Sequence, residues 1–272
     1  MNRADDHQPL TDSRVARLLP PTRALEKDAM KSVIKLDPHN PSGEGLESWA
    51  VIPPSFLTGP TPIQRGYKAF ERNGLCTGTW DCSGGSSTGL NPYPLFEFML
   101  LIEGHVGIID ETGHKEVISA GEPFFLPQGL NCAWDMPVYY RKYFINLFND
   151  EYPAETDPSK LRVVRPLPNI SEDDCKETSL STLEPHQARH LAYESGDGRI
   201  QVGTLISGPC RCDITDFSRS ELICMLEGSV RVTTSNGEEA FHAGDSFFAP
   251  LNAPVGWHAD KPFRAFFCAV WP

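Results

Sequence analysis

Two glutamates open apolar runs in which a carboxylate is out of place: Glu97 in Glu97-Phe-Met-Leu-Leu-Ile-Glu-Gly104, and Glu221 in Glu221-Leu-Ile-Cys-Met-Leu-Glu-Gly228. Apolar surroundings disfavour the ionised form. The pKa of such a carboxyl is therefore expected to rise toward neutrality, where the group can act as a general acid or base. The alternative is structural, each glutamate tying strands together through backbone or tyrosine-hydroxyl hydrogen bonds. Trp134 and Trp257 follow the two runs, each able to form a flat stacking wall or to fill a core. Other reactive types are less well placed. His186 and His190 have the i, i+4 spacing that suits a metal on a helix, yet His190 falls on a predicted strand, and Cys210-Arg-Cys212 lacks a partner pair at zinc-site spacing.

Several classes of function are disfavoured. The formal net charge of -12 and pI near 5.1, with no basic stripe, argue against a nucleic-acid partner. No phosphate-binding or dinucleotide glycine pattern follows a strand and opens a helix, and no local signature of a Ser-His-Asp triad is present. The 8 cysteines are scattered through apolar runs and suit reduced thiols better than a disulfide scaffold. With no signal-peptide pattern at the start and no apolar stretch of membrane-spanning length, a cytoplasmic protein without a membrane partner is expected.

The elements that must position the glutamates are written twice. Gly121-Glu-Pro-Phe-Phe-Leu-Pro127 recurs as Gly244-Asp-Ser-Phe-Phe-Ala-Pro250, and Pro62-Ile-Gln64 to Glu71 recurs as Pro185-His-Gln187 to Glu194, about 123 residues on. Each copy alternates short runs rich in Val, Ile, Phe and Tyr with Gly, Pro, Asn and Asp clusters, the pattern of short strands joined by tight turns. The expected fold is all-β: two tandem jelly-roll-like barrels over residues 51–150 and 182–272, an extension over 1–50 and a connection over 151–181. The extension is expected to carry a short helix or an added strand within 22–35 and to lie across a barrel or a neighbouring subunit, so a homodimer is allowed.

At the motif level the chain resembles the cupin superfamily. Glu97 to Gly104 and Gly121 to Pro127 match its two motif spacings, as do Glu221 to Gly228 and Gly244 to Pro250. Trp80-Asp-Cys82, Pro92-Tyr-Pro94, Trp134 and Arg141-Lys-Tyr143 resemble the ethanolamine-utilisation and ureidoglycine-aminohydrolase-type branch. The resemblance implies a bicupin and places each glutamate in a barrel lumen. It also implies three histidine metal ligands per barrel, and at those positions this chain has Asn91, Tyr93 and Cys132 around Glu97, and Thr215, Phe217 and Val255 around Glu221.

No imidazole remains at those positions, and a lone carboxylate holds a transition metal weakly. No metal or other cofactor is expected, the alternative being an unusual zinc or iron set of Glu97, Cys132, Asn91 and Tyr93. In the first barrel the candidate catalytic residues are Glu97 and Tyr93. The candidate substrate contacts are Asn91, Met99, Cys132, Trp134 and Lys142, although the Arg141-Lys142 pair is expected on a solvated strand face. In the second, Thr215, Phe217, Glu221, Val255 and Trp257 form a lumen read as structural. Beside a metal-dependent aminohydrolase-like enzyme using that atypical set, two functions remain open: a metal-independent enzyme moving a proton on a small polar or carboxylated metabolite (isomerisation, elimination, cyclisation or hydrolysis), or a non-catalytic small-molecule sensor or accessory protein. A first lumen plugged by Phe98, Met99 and Trp134 would favour the second.

Overall fold

A computed structural model describes residues 33–148, 152–171, 176–178 and 187–272. His186 and residues 22–32 of the expected N-terminal element lie outside them. The strands before the connection are β1 (Ile34–Lys35), β2 (Glu47–Ser48), β3 (Gln64–Arg72), β4 (Leu75–Cys82), β5 (Ser86–Ser87), β6 (Asn91–Pro92), β7 (Phe96–Glu103), β8 (His105–Asp110), β9 (Lys115–Ser119), β10 (Pro123–Leu126), β11 (Asn131–Met136) and β12 (Tyr140–Leu147). There follow β13 (Lys176–Thr178), β14 (Gln187–Glu194), β15 (Ile200–Ser207), β16 (Cys210–Asp216), β17 (Ser220–Glu227), β18 (Ser229–Thr234), β19 (Gly237–His242), β20 (Ser246–Ala249), β21 (Pro254–Ala259) and β22 (Phe263–Val270). No helix among the described residues is long and apolar enough to cross a membrane.

Each half folds as two facing antiparallel sheets. Barrel 1 joins the order β10-β7-β12-β4-β3-β2 to β5-β11-β8-β9, with β6 also on β11; barrel 2 joins β1-β20-β17-β22-β15-β14-β13 to β16-β21-β18-β19. The duplication extends to irregularities: pairing of β3 with β4 skips Ala69 as β14 with β15 skips Ala192, and β7 with β12 skips Ile102 as β17 with β22 skips Leu226. The glycine closing each first motif has the same cause. Gly104 and Gly228 turn the chain at φ 74° and 75°, and an added Cβ would lie 2.1 Å from the Tyr139 carbonyl oxygen or 2.7 Å from that of Pro262.

Strand alternation then sorts side chains into three apolar layers. On β7, Met99 and Leu101 line the lumen of barrel 1, while Phe96 and Phe98 face the other way. There they meet Tyr193, Leu222, Phe248 and Phe266 of barrel 2 in a layer shared by both halves, with Phe125 and Tyr193 ring centroids 4.5 Å apart. Phe98 therefore does not plug the lumen, as was allowed above; it cements the two barrels.

Two segments cross the barrel boundaries expected from the repeat. β1, which precedes barrel 1 in the chain, pairs with β20 of barrel 2 (Ile34 with Phe248, Lys35 with Phe247), while β2 and Trp49 belong to barrel 1. The connection bridges Val164 to Phe125 and then receives the Thr204 hydroxyl on the Leu167 carbonyl at 2.7 Å, passing from one barrel to the other. Phe98→Ala is expected to lower stability by about 3–5 kcal/mol in urea unfolding, through lost transfer energy and an unfilled cavity. Val117→Ala, at a half-exposed position, should stay within about 0.5 kcal/mol.

Candidate functional site

The lumen of barrel 1 holds a buried charge pair. Glu97, on β7 between β10 and β12, is 4% exposed, and the Lys142 ammonium on β12 lies 2.8 Å from its Oε1. The Tyr93 hydroxyl donates to Glu97 Oε2. Backbone bonds fix Tyr93 just before β7: its N–H donates to Leu130 O at 2.7 Å and its carbonyl accepts from Gly129 N at 2.8 Å. Lys142 Nζ also lies 3.0 Å from Met99 Sδ, and 4.9 Å and 5.2 Å from the ring centroids of Trp80 and Trp134. Burial, and then the charge and hydrogen bond of Glu97, hold the Tyr93 pKa well above 10.0, so the tyrosine keeps its proton.

This overturns the solvated face expected for Lys142. On β12 it alternates inward with Tyr140 and Phe144, and it pairs with Trp80 on one side and Leu101 on the other, all lining the lumen. Glu97 thus has, besides the tyrosine expected near it, an ammonium partner that its apolar run did not announce. Trp134 sits between Tyr93, Phe124 and Tyr140, with ring centroids at 6.2, 6.0 and 6.4 Å, and both Trp134 and Tyr93 are half-buried. Of the other candidates, Met99 touches Lys142, while Asn91 donates to the Gly89 carbonyl at 3.1 Å rather than to Glu97. Cys132 is buried in the lumen wall, and burial pushes its pKa up to about 12.

Barrel 2 meets the same constraint with other residues. Glu221 is fully buried between two guanidinium groups, Arg189 Nη2 at 2.9 Å and Arg219 Nε at 2.6 Å, each 1% exposed. Arg189 stacks over Phe267 at 4.3 Å and Arg219 over Phe217 at 4.4 Å, so Glu221 is tied by arginines rather than by backbone or tyrosine. Phe217, Val255 and Trp257 fill the apolar lumen, and Thr215, opposite Val255, is half-buried outside that cluster. Sequence reading missed both arginines. One cross-strand row relates the two solutions: Gly66, Trp80, Lys142 and Leu101 in barrel 1 stand where Arg189, Leu205, Ala265 and Met225 stand in barrel 2. A Cβ on Gly66 would lie 2.3 Å from the Trp49 ring, which packs edge-on to Phe144 where Arg189 meets Phe267 in barrel 2.

A cleft of ≈ 260 Å³ also opens at the seam, lined by Tyr152, Glu155, Asp197 and neighbours. Its carboxylates are engaged: Glu155 accepts from the Tyr193 hydroxyl at 2.7 Å, and Asp197 from Ser195 Oγ at 2.6 Å and Arg199 Nε at 2.7 Å. The barrel 1 lumen is the better candidate.

Residues 72–144 and 194–267, one stretch in each barrel, match the family described as EutQ-like cupin domain. The chain belongs to that family. No curated protein matches this EutQ-like cupin in sequence. Among solved structures it is similar to a protein of unknown function of the DUF861 family from Pseudomonas syringae pv. tomato (TM-score 0.66, 18% identity, 88% of this chain and 100% of that one). A cupin 2 conserved barrel domain protein from Leptotrichia buccalis is similar too (TM-score 0.53, 11% identity, 76% and 88%). So is the DUF861 protein Ylba from Escherichia coli (TM-score 0.50, 12% identity, 90% and 96%). These likenesses establish the fold, which does not by itself name a function.

The metal ion that cupin barrels often hold does not fit the donors present. Beside Glu97 no imidazole is present, Asn91 turns to Gly89, and the two carboxylate oxygens are taken by the Lys142 ammonium and the Tyr93 hydroxyl. Among the described residues no group of three or more His, Cys, Asp and Glu is arranged to hold an ion.

Lys142→Met is expected to cost about 3–5 kcal/mol by leaving Glu97 buried and unpaired, and Glu97→Gln/Lys142→Met clearly less; denaturant unfolding compares them. A second expectation concerns pH. Burial holds the Cys132 and Cys224 protons to about pH 12, whereas unfolded thiols release theirs near the ordinary 9.0. Between these values the unfolded chain binds fewer protons, so stability falls as pH rises. The urea midpoint should drop from about pH 8 to about pH 10, less steeply in Cys132→Ala.

Proposed function

We propose that barrel 1 binds a small polar or carboxylated metabolite without a metal ion and moves a proton on it. The observation that carries this reading is the Tyr93–Glu97–Lys142 chain, whose ion pair is buried in a lumen where the aromatic wall, Tyr93 and Trp134, keeps partial exposure. The ion pair supplies Glu97 as a carboxylate, a base within reach of a ligand proton. The Lys142 ammonium, whose second contact is the weak acceptor Met99 Sδ, has donor capacity for a ligand carboxylate or a developing oxyanion. Tyr93, kept protonated, returns or directs the proton, and Trp134 stacks against the ligand. Isomerisation, elimination and cyclisation share such a proton transfer, and in a hydrolysis the same base acts on water. Barrel 2, whose Glu221 is sealed between arginines, supports the fold.

The test incubates the protein in deuterium oxide with a panel of small 2-oxo, hydroxy and amino acids and follows loss of ligand C–H signals by proton NMR. Exchange is expected in the wild type and should slow by about 10²–10⁴-fold in Glu97→Gln. Exchange that survives Glu97→Gln unchanged would remove the proton-transfer role. Binding without exchange would favour the sensor or accessory reading.

A further inference from the structure

The lumen of barrel 1 contains an acceptor that the fold does not use. Asn146 lies on β12 directly opposite Glu97 on one side and Cys76 on the other, and cross-strand partners project to the same face. Cys76 and Phe144 line the lumen, so Asn146 shares that face with Glu97 and Lys142. Its Oδ1 is buried and accepts no hydrogen bond among the described residues. A buried, unserved amide oxygen lowers stability and calls for a reason. Barrel 2 shows that the fold does not require one: the residue opposite Glu221 is Ala269, fully buried in an apolar core.

We propose that Asn146 is the specificity residue of the barrel 1 site, its Oδ1 accepting a hydrogen bond from an O–H or N–H group of the ligand. With an ammonium at Lys142 and an acceptor at Asn146 both facing Glu97 from β12, the ligand class is a small carboxylic acid bearing a hydroxyl or amino group. This rests on the reading that barrel 1 takes a small polar or carboxylated metabolite. It adds that the molecule must present a donor as well as a charge, because an analogue without the donor would leave Oδ1 desolvated and unpaired.

Titration calorimetry of the full chain with lactate, alanine and propionate tests the proposal. Lactate or alanine should bind about tenfold more tightly than propionate in the wild type, and Asn146→Ala should abolish the preference. Thermal unfolding separates recognition from scaffolding. Ligand-free Asn146→Ala should melt at or above the wild-type temperature, since it loses an unserved acceptor. Equal affinities for the three acids in the wild type overturn the proposal but leave barrel 1 as a carboxylate site. A melting temperature lowered by about 5 °C or more in ligand-free Asn146→Ala also overturns it, by giving Asn146 a structural role. If none of the three acids binds, the reading of barrel 1 falls together with this inference.

Discussion

A carboxylate in the middle of a packed barrel is the constraint on which the rest of this protein depends. An ionised group there is tolerated only beside an opposite charge and with its lone pairs satisfied. Both halves carry the carboxylate at the same register, and both supply the opposite charge from a side chain. The donor strand differs. In barrel 1 the cation rises from β12; in barrel 2 one arginine comes from β14, two strands away along the same row, and a second comes from just before β17. Moving the cation along the row changes what else fits: Gly66 vacates space that Trp49 occupies, and Trp80 and Trp134 become walls around an ammonium.

The two lumens consequently diverge in how their polar groups are engaged. Barrel 2 surrounds its glutamate with two buried guanidinium groups stacked on phenylalanines. Barrel 1 uses the slimmer lysine, leaves the thioether of Met99 as a weak second acceptor, and lets Tyr93 and Trp134 reach partial exposure. It also places an asparagine where its twin has an alanine. Barrel 1 thus keeps hydrogen-bonding capacity beside its carboxylate, at Asn146 Oδ1 and around the Lys142 ammonium.

The duplication, the all-β class and the two glutamates were legible from residue types and spacing, because period-two alternation and turn glycines are local. The polar partners were not. Lys142 follows Arg141, and the pair reads locally as a solvated face; only its pairing with Trp80 and Leu101 makes it a lumen residue. Arg189 sits in a strand whose register with β15 cannot be counted from composition, and Asn146 hides between Ile145 and Leu147 in what reads as an apolar strand. Phe98 was misplaced for a related reason: with both faces of β7 buried, hydrophobicity does not say which side is lumen and which is the partner barrel.

The pairing of β1 with β20 gives the molecule a temporal order as well as a shape. The strand that completes an edge of the second barrel is made before the described strands of the first, while the edge it caps is made only after all of them. During synthesis that early segment must stay unclaimed while an entire barrel forms behind it. The protein therefore closes like a clasp, an early strand fastened over a late one, and that sheet cannot be completed until β20 has been made.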